Sequence, residues 1–181
     1  MRQLGKVGGS GWHCGATIAI CRSMDDALPT SRPLTLAEKG LVADMFGDAV
    51  DPDPVRVFRR RWWWFQPRNV VMAPRGSLHF HPDSPLWHPC FGHGTLAAQG
   101  LFIHEMAHVW QHQAGINLLL RRLPFCRYDY DLHTARTFAD YNIEQQAEII
   151  RHTFLLRHGA QWEDAPRLAD LERLIPFGRG K

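Results

Sequence analysis

The segment 101–111 carries the motif that most constrains the fold, His-Glu-x-x-His at positions 104–108 inside an apolar, helix-forming run. Residues four positions apart point from the same face of an α-helix, so His104 and His108 can share one metal ion. Glu105 lies about 100° around the helix from His104, close enough to act on a water held by that ion. The pattern predicts a helix from about Thr95 to Ala114, with Gly115 as its stop signal.

The motif supplies two of the three protein ligands that a catalytic zinc ion normally takes. The metzincin extension would need glycine at position 111 and histidine at position 114, where this chain has Gln111 and Ala114. That class is therefore rejected. His112 continues the same helical face, but a helix rises about 6 Å over four residues, so His112 cannot join both other histidines on one ion.

A second predicted helix, from about Ile143 to His158, supplies the missing ligand. Glu144 and Glu148 lie four positions apart on one of its faces. We assign Glu144 to the metal, and we expect Glu148 to accept the N–H of a ligand histidine, which fixes the imidazole tautomer. The alternatives are the reverse assignment and a purely solvated role for both carboxylates.

These residues predict a hydrolytic site with one zinc ion, which two imidazoles and a carboxylate suit best among divalent ions. Glu105 would take the proton of an activated water and return it to a leaving amine. The oxyanion that forms needs a further donor. We prefer Tyr130 for this role among four candidates between the two helices, Tyr128, Tyr130, His133 and Tyr141.

The remaining patterns predict a small α+β domain over residues 33–175, preceded by a flexible arm (1–32) and followed by a frayed tail (176–181). A Thr-x-x-Glu capping box at Thr35 opens a helix to Phe46. Its predicted inward residues are Leu36, Gly40, Leu41, Met45 and Phe46. Further predicted elements are strands at Val55–Phe58, Val70–Ala73 and Ser77–His81, the last two forming a hairpin, and a helix at Leu168–Leu174.

Two segments have unusual composition. Arg59-Arg60-Arg61-Trp62-Trp63-Trp64-Phe65 is interpreted as an arginine-bearing loop whose tryptophans cover the core, with contact to nucleic acid or a membrane as the alternative. His79 and His81 alternate along a predicted strand and face the same side. They are interpreted as residues of a partly exposed edge strand, because no third metal ligand lies nearby in the sequence.

Composition limits the partners. Net charge of +3 with a pI near 8.8 is too mild to predict nucleic-acid binding, and no run approaches the length of a membrane span. The four cysteines form no Cys-x-x-Cys pair, which favours free thiols. The short apolar run 14–21 lacks a following cleavage site, so we expect a chain that is cytoplasmic at synthesis and exported only by a specialised secretion system.

With these residues in place, the sequence resembles the gluzincin branch of zincin-like metallopeptidases. More narrowly, it is similar to the HExxHxxQ domain of bacterial contractile-injection-system and Rhs/Vgr-related proteins. The resemblance covers about residues 32–160 and rests on Arg32–Thr35, Phe46–Asp51, Val55–Val57, Leu101–Gln113 and Tyr141–Ile149.

The resemblance implies a zincin-like fold, with two metal-bearing core helices beside a small β-sheet, a zinc peptidase site and a link to type VI secretion. Thermolysin-like gluzincins read Asn-Glu-x-x-x-Asp on the third-ligand helix. Here Asn142 lies two positions before Glu144, and the four-residue step to Glu148 is kept. Asn142 is therefore placed with Glu148 among the residues that surround the ligands.

Two functions fit these observations. The first is a zinc peptidase that acts on a peptide or protein and is associated with a secretion-system partner. The second is a non-catalytic module of a type VI or related contractile apparatus that keeps a metal for stability.

Overall fold

The structure, a computed structural model, describes residues 30–118, 127–132 and 137–177. These residues form four α-helices and a three-stranded sheet, which confirms the α+β class. The elements are β1 (Ser31–Pro33), α1 (Leu36–Phe46), β2 (Arg56–Phe58), β3 (Leu78–His79), α2 (Leu96–Gln113), α3 (Ile143–Arg157) and α4 (Leu168–Leu174). In the sheet β2 is central, antiparallel to β1 and parallel to β3. No helix in this part of the chain is long and apolar enough to cross a membrane.

Helices α2 and α3 pack against each other at the centre of the molecule. A Cβ atom at Gly100 would lie 2.8 Å from Leu155 Cδ2, so Gly100 leaves room for the Leu155 side chain between the two helices. On its other side α2 meets the sheet region through stacked rings. Phe91 lies between Phe80 and Phe102, with ring centroids 5.3 and 5.5 Å away. The motif-bearing helix is therefore held from both sides.

Glu38 connects three parts of the fold, although its carboxylate is fully buried. The predicted capping box is confirmed, since Thr35 N donates to Glu38 Oε2 at 2.8 Å and Thr35 Oγ1 accepts from Glu38 N. Arg32 of β1 donates two further bonds, at 2.7 and 2.8 Å, and Phe91 N donates one at 2.9 Å. Glu38 thus fixes the positions of β1, α1 and the turn before α2.

The four predicted helices are confirmed, but the inward face of α1 is partly wrong. Leu36 is 89% exposed, whereas Glu38, Val42, Met45 and Phe46 are buried. Hydrophobicity alone favours Leu36 as a core residue, but the capping geometry turns this first helical position outward. The partly buried Arg32 partner then makes an inward carboxylate at Glu38 tolerable.

The predicted hairpin of Val70–Ala73 and Ser77–His81 is confirmed only as an antiparallel pairing at one position, and the predicted lengths of its strands are wrong. Only Leu78–His79 forms a strand, and it pairs with β2 in parallel. Residues 70–73 contribute a single antiparallel bridge between Met72 and His79. The Arg56–Phe58 part of the predicted strand at 55–58 is confirmed, as β2.

Residues that were predicted to belong to the arm and to the tail take part in the fold. Ser31 and Arg32 belong to β1, although the arm was predicted to extend to residue 32. Phe177, predicted to be in the frayed tail, packs against Phe46 and Trp110 with ring centroids 5.0 and 5.2 Å away. The rest of the predicted arm and of the predicted tail, 1–29 and 178–181, lies outside the described residues.

We predict that Glu38→Gln lowers the free energy of unfolding by about 3 kcal/mol at neutral pH, because it leaves a partly buried Arg32 without its counter-charge. Burial raises the pKa of Glu38, but Arg32 and two backbone N–H donors outweigh burial, so the pKa lies below its ordinary 4.5. A lowered pKa stabilises the fold above pH 4.5, and this contribution is lost as the pH falls below that value.

Urea unfolding at a series of pH values measures this effect. The gap between wild type and Glu38→Gln should shrink as the pH drops below 4.5. Asp53→Asn, which removes the exposed partner of Lys39, is the control and should change stability by less than about 1 kcal/mol. A gap independent of pH would contradict the role given to the Glu38 charge.

Candidate metal centre

The two central helices bring the three predicted metal ligands together. Glu144 Oε2 of α3 lies 3.4 Å from His104 Nε2 and 3.2 Å from His108 Nε2, both of α2. One donor atom from each residue lies within 4.8 Å of the others, and all three side chains are buried. Two imidazole nitrogens and one carboxylate oxygen fit a zinc ion with room for a fourth ligand.

Glu148 lies on the outer side of His104. His104 Nδ1 is 2.9 Å from Glu148 Oε1, as predicted for a carboxylate that orients a ligand histidine. Burial raises the pKa of Glu148, but His104, Arg151 and His152 outweigh burial and lower it. The pKa of His104 is raised, since contacts with Glu144 and Glu148 outweigh its burial. Glu148 therefore stays ionised at neutral pH and directs Nε2 of His104 towards Glu144.

Gln111 has the corresponding role for His108, and sequence reasoning gave it none. Its side chain is fully buried and its Oε1 lies 2.9 Å from His108 Nδ1. Gln111 Nε2 donates to Ile143 O and to Gln146 Oε1, both at 2.9 Å, so Oε1 is the atom that accepts from His108. The proton of His108 is thereby assigned to Nδ1 and Nε2 is left for a metal. The available signal was position: Gln111 follows His108 by three residues on one helical face.

Asn142 acts on the backbone of α3. Its Oδ1 accepts from Glu144 N at 2.9 Å and from Gln145 N at 3.0 Å, which caps the helix at its first turn. Asn142 Nδ2 donates to Arg127 O. Asn142 therefore fixes the start of α3 and with it the position of Glu144. The hydrogen bonds of Asn142 are made to backbone atoms and to the side chain of Gln145.

The tyrosines occupy different sides of the centre. The hydroxyl of Tyr130 lies 2.6 Å from His152 Nδ1, and burial raises the pKa of this phenol. His152 Nε2 lies 3.4 Å from Glu148 Oε2. The side chains of His152 and Glu148 therefore separate Tyr130 from His104. The ring of Tyr128 lies over His104, with centroids 6.3 Å apart. Tyr141 donates to Asp131 O in the core, and His133 lies outside the described residues.

A cleft of about 200 Å³ opens beside the centre, and Glu105, His104 and Tyr128 line it. Its other walls are Asn69, Val70, Val71, Leu86, Leu101, Glu148 and Arg151. A smaller cavity of about 20 Å³, room for about one water molecule, adjoins His108 and Glu144. Residues 70–74 contribute to both spaces. Glu105 thus lines the cleft beside His104, whereas Tyr130 is not among the residues that line either space.

The other singled-out histidines lie elsewhere. His79 and His81 are buried rather than partly exposed. His79 stacks on Phe58 at a centroid distance of 4.5 Å and meets the edge of Trp62, while His81 Nδ1 accepts from Asp83 N. His112 is exposed at the end of α2. Among the described residues, only His104, His108 and Glu144 form a group that can hold a metal.

Comparison with known proteins places the chain in a family. No protein-family model matches the chain. The chain is 37% identical over 162 residues to the type VI secretion system spike protein VgrG2b of Pseudomonas aeruginosa. It is 38% identical to a solved structure, the effector domain of Pseudomonas aeruginosa VgrG2b, with a TM-score of 0.65 over 71% of this chain and 75% of that one. The chain belongs to the VgrG2b effector-domain family.

Membership of the VgrG2b effector-domain family confirms the predicted relationship to Vgr-related proteins. The match covers 82% of this chain but only 15% of the full VgrG2b spike protein. The names of the two similar proteins link the family to type VI secretion but mention no chemical activity. The predicted zincin-like peptidase site therefore stays a prediction, now with a defined geometry.

We predict that Gln111→Leu weakens both the fold and the metal centre. It removes the acceptor of His108 and the donor to Ile143 O, so the free energy of unfolding should fall by about 2 kcal/mol. Zinc affinity should fall about 10–100-fold, because the imidazole of His108 is no longer oriented.

Urea unfolding and competitive zinc titration measure the two effects. The control is Gln113→Leu, two residues further along α2, where the side chain is exposed and bonds only to Asp51. This variant should bind zinc like the wild type. Equal zinc affinities in Gln111→Leu and wild type would exclude a role for Gln111 in the centre.

Proposed function

We propose that this domain is a zinc-dependent peptidase that acts as the effector part of a type VI secretion spike. The observation that carries the proposal is the convergence of His104, His108 and Glu144. Each imidazole also contacts an acceptor side chain, that of Glu148 or Gln111. A buried cluster of this kind is costly unless it is satisfied or functional. Zinc bound there would acidify a water and polarise a carbonyl group.

Each step of the chain's own chemistry has a candidate residue. Glu105 borders the cleft next to His104 and can accept a proton from an attacking water, then deliver it to the leaving amine. Tyr128 is the tyrosine on this cleft and is the better-placed candidate donor to a developing oxyanion. With zinc on both Nε2 atoms, Glu148 and Gln111 would each accept the Nδ1 proton of one imidazole, so no proton rearrangement would be needed at the ligands.

The shape of the cleft favours an extended polypeptide as substrate. A volume of about 200 Å³ holds a few side chains, and its apolar walls include Val70, Val71, Leu86 and Leu101. Residues 70–74 line both spaces, so a peptide alongside them would pass the ligand group, where zinc would polarise a carbonyl group and Glu105 would take the proton of the attacking water. Unfolded segments fit this arrangement better than the surface of a folded protein.

The proposed role of this domain in type VI secretion rests on the two similar VgrG2b proteins. The full relative is a type VI spike protein, and its solved domain, which this chain resembles over most of its length, is named an effector domain. We infer that a spike component of the same kind delivers this domain and that the secretion apparatus is its partner. Delivery in this way would need no general secretion signal.

The test is hydrolysis of an unfolded polypeptide by the zinc-loaded wild type and by Glu105→Gln. We predict that the variant loses a factor of about 100 to 10,000 in rate while it keeps its zinc, because the amide cannot take the proton of the water. Glu163→Gln removes an exposed carboxylate outside the cleft and is the matched control, with wild-type activity expected.

Cleavage by Glu105→Gln at the wild-type rate would rule out the proposed mechanism. Cleavage of no unfolded polypeptide by the zinc-loaded wild type, together with a large rise in melting temperature on zinc addition, would instead favour the metal-stabilised structural module.

A further inference from the structure

Residues 54–82 concentrate positive charge. This stretch contains six arginines and no acidic residue, while the whole chain has 21 basic and 18 acidic residues. The rest of the chain is therefore net acidic. Within the described residues, Arg68 is the one arginine of the stretch with a carboxylate within 4.0 Å, that of Asp83 at 3.8 Å. Arg59 and Arg61 donate to carbonyl oxygens, which leaves their charge uncompensated.

The tip of this stretch is an exposed aromatic cluster, which we call the aromatic tip (Trp63, Trp64 and Phe65). Their exposed fractions are 45%, 83% and 62%. The interpretation that all three tryptophans cover the core is wrong, because only Trp62 packs inward, against His79. Contiguous exposed aromatics of this size mark an interaction surface.

The aromatic tip stands on a fixed base. Gln66 is buried and accepts from Trp62 N at 2.8 Å through Oε1. Its Nε2 donates to Val70 O and to His79 O, at 2.8 and 2.9 Å. The guanidinium of Arg75 covers the ring of Trp62 at 5.5 Å. Hydrogen bonds thus fix the loop on both sides of the aromatic tip. The three rings are exposed on an already fixed loop, so docking would order few additional residues.

We propose that the aromatic tip and its surrounding arginines dock the domain onto an anionic phospholipid surface. Tryptophan favours the membrane–water interface, and clustered arginines are drawn to anionic headgroups. The positive charge of residues 54–82, against a net acidic remainder of the chain, favours this stretch as the part that meets such a surface.

A lipid surface fits better than a nucleic acid. Trp64 meets Phe65 edge to face at 5.2 Å, and Trp63 lies 5.9 Å from the same ring. The three rings therefore form one apolar knob, whereas single-stranded nucleic acid needs separate open ring faces for successive bases. Asn69 and Val70, which follow the tip, line the cleft at the metal centre, so docking also brings that cleft near the bilayer.

Vesicle co-sedimentation of the full chain tests the proposal and needs neither metal nor activity. We expect binding to vesicles of phosphatidylcholine with phosphatidylglycerol, weaker binding at high salt, and little binding to phosphatidylcholine alone. Trp64→Ser with Phe65→Ser, and separately Arg60→Ala with Arg68→Ala, should each lower the partition coefficient roughly tenfold.

Two controls carry the same chemical changes elsewhere on the surface. Leu36→Ser removes an apolar side chain that is 89% exposed, and Arg167→Ala removes an exposed arginine. Both should bind vesicles like the wild type, and thermal melts should show all variants folded. The proposal is overturned by absence of vesicle binding, by equal loss in the controls, or by binding of a single-stranded DNA oligonucleotide or another protein through this tip without any vesicle binding.

Discussion

The fold depends on a polar interaction between its two central helices, the contact of the histidines of α2 with the carboxylates of α3. Polar groups buried between helices cost free energy unless each has a partner. Here Glu144 faces both imidazoles, Glu148 meets His104 and Gln111 meets His108. This requirement sets the register of α3 against α2, and Gly100 leaves room for the Leu155 side chain in the same interface.

The two histidines are oriented by chemically different partners. His104 faces an ionised carboxylate, whereas His108 faces the neutral amide of Gln111, which is itself tied to the backbone at Ile143. A carboxylate partner makes an imidazole a stronger donor to a metal than an amide does. Glu148 and Gln111 each offer an acceptor oxygen to the Nδ1 atom of one histidine. Because Gln111 is neutral, Glu148 is the one negative charge added to those of Glu144 and Glu105, which limits repulsion among the buried carboxylates.

The helices and the grouping of His104, His108 and Glu144 could be predicted because they rest on local patterns. Spacing of four residues placed His104 with His108 and Glu144 with Glu148, and capping residues marked the helix ends. Gln111 was missed because its partners, Ile143 and Gln146, are more than 30 positions away, although its spacing from His108 was visible. Tertiary contacts of this kind have no local signature.

The wrong predictions of which residues are buried have the same cause, since burial also depends on tertiary contacts. Glu38 is buried because Arg32 and Phe91 meet it, and Trp64 is exposed because Gln66 pins the loop base. Hydrophobicity alone predicts the opposite for both residues. Tyr130 and Tyr128 could not be distinguished by spacing either, since their positions relative to the cleft depend on how segment 127–132 crosses α3.

Zinc content of the purified protein is the most direct test of the two-helix centre. Wild type should hold about one zinc per chain, Glu144→Ala should lose it, and Glu148→Ala should keep it with affinity lowered about 10–100-fold. Retention of zinc at the wild-type affinity by Glu144→Ala would contradict the account, because the two helices would then not share the ion.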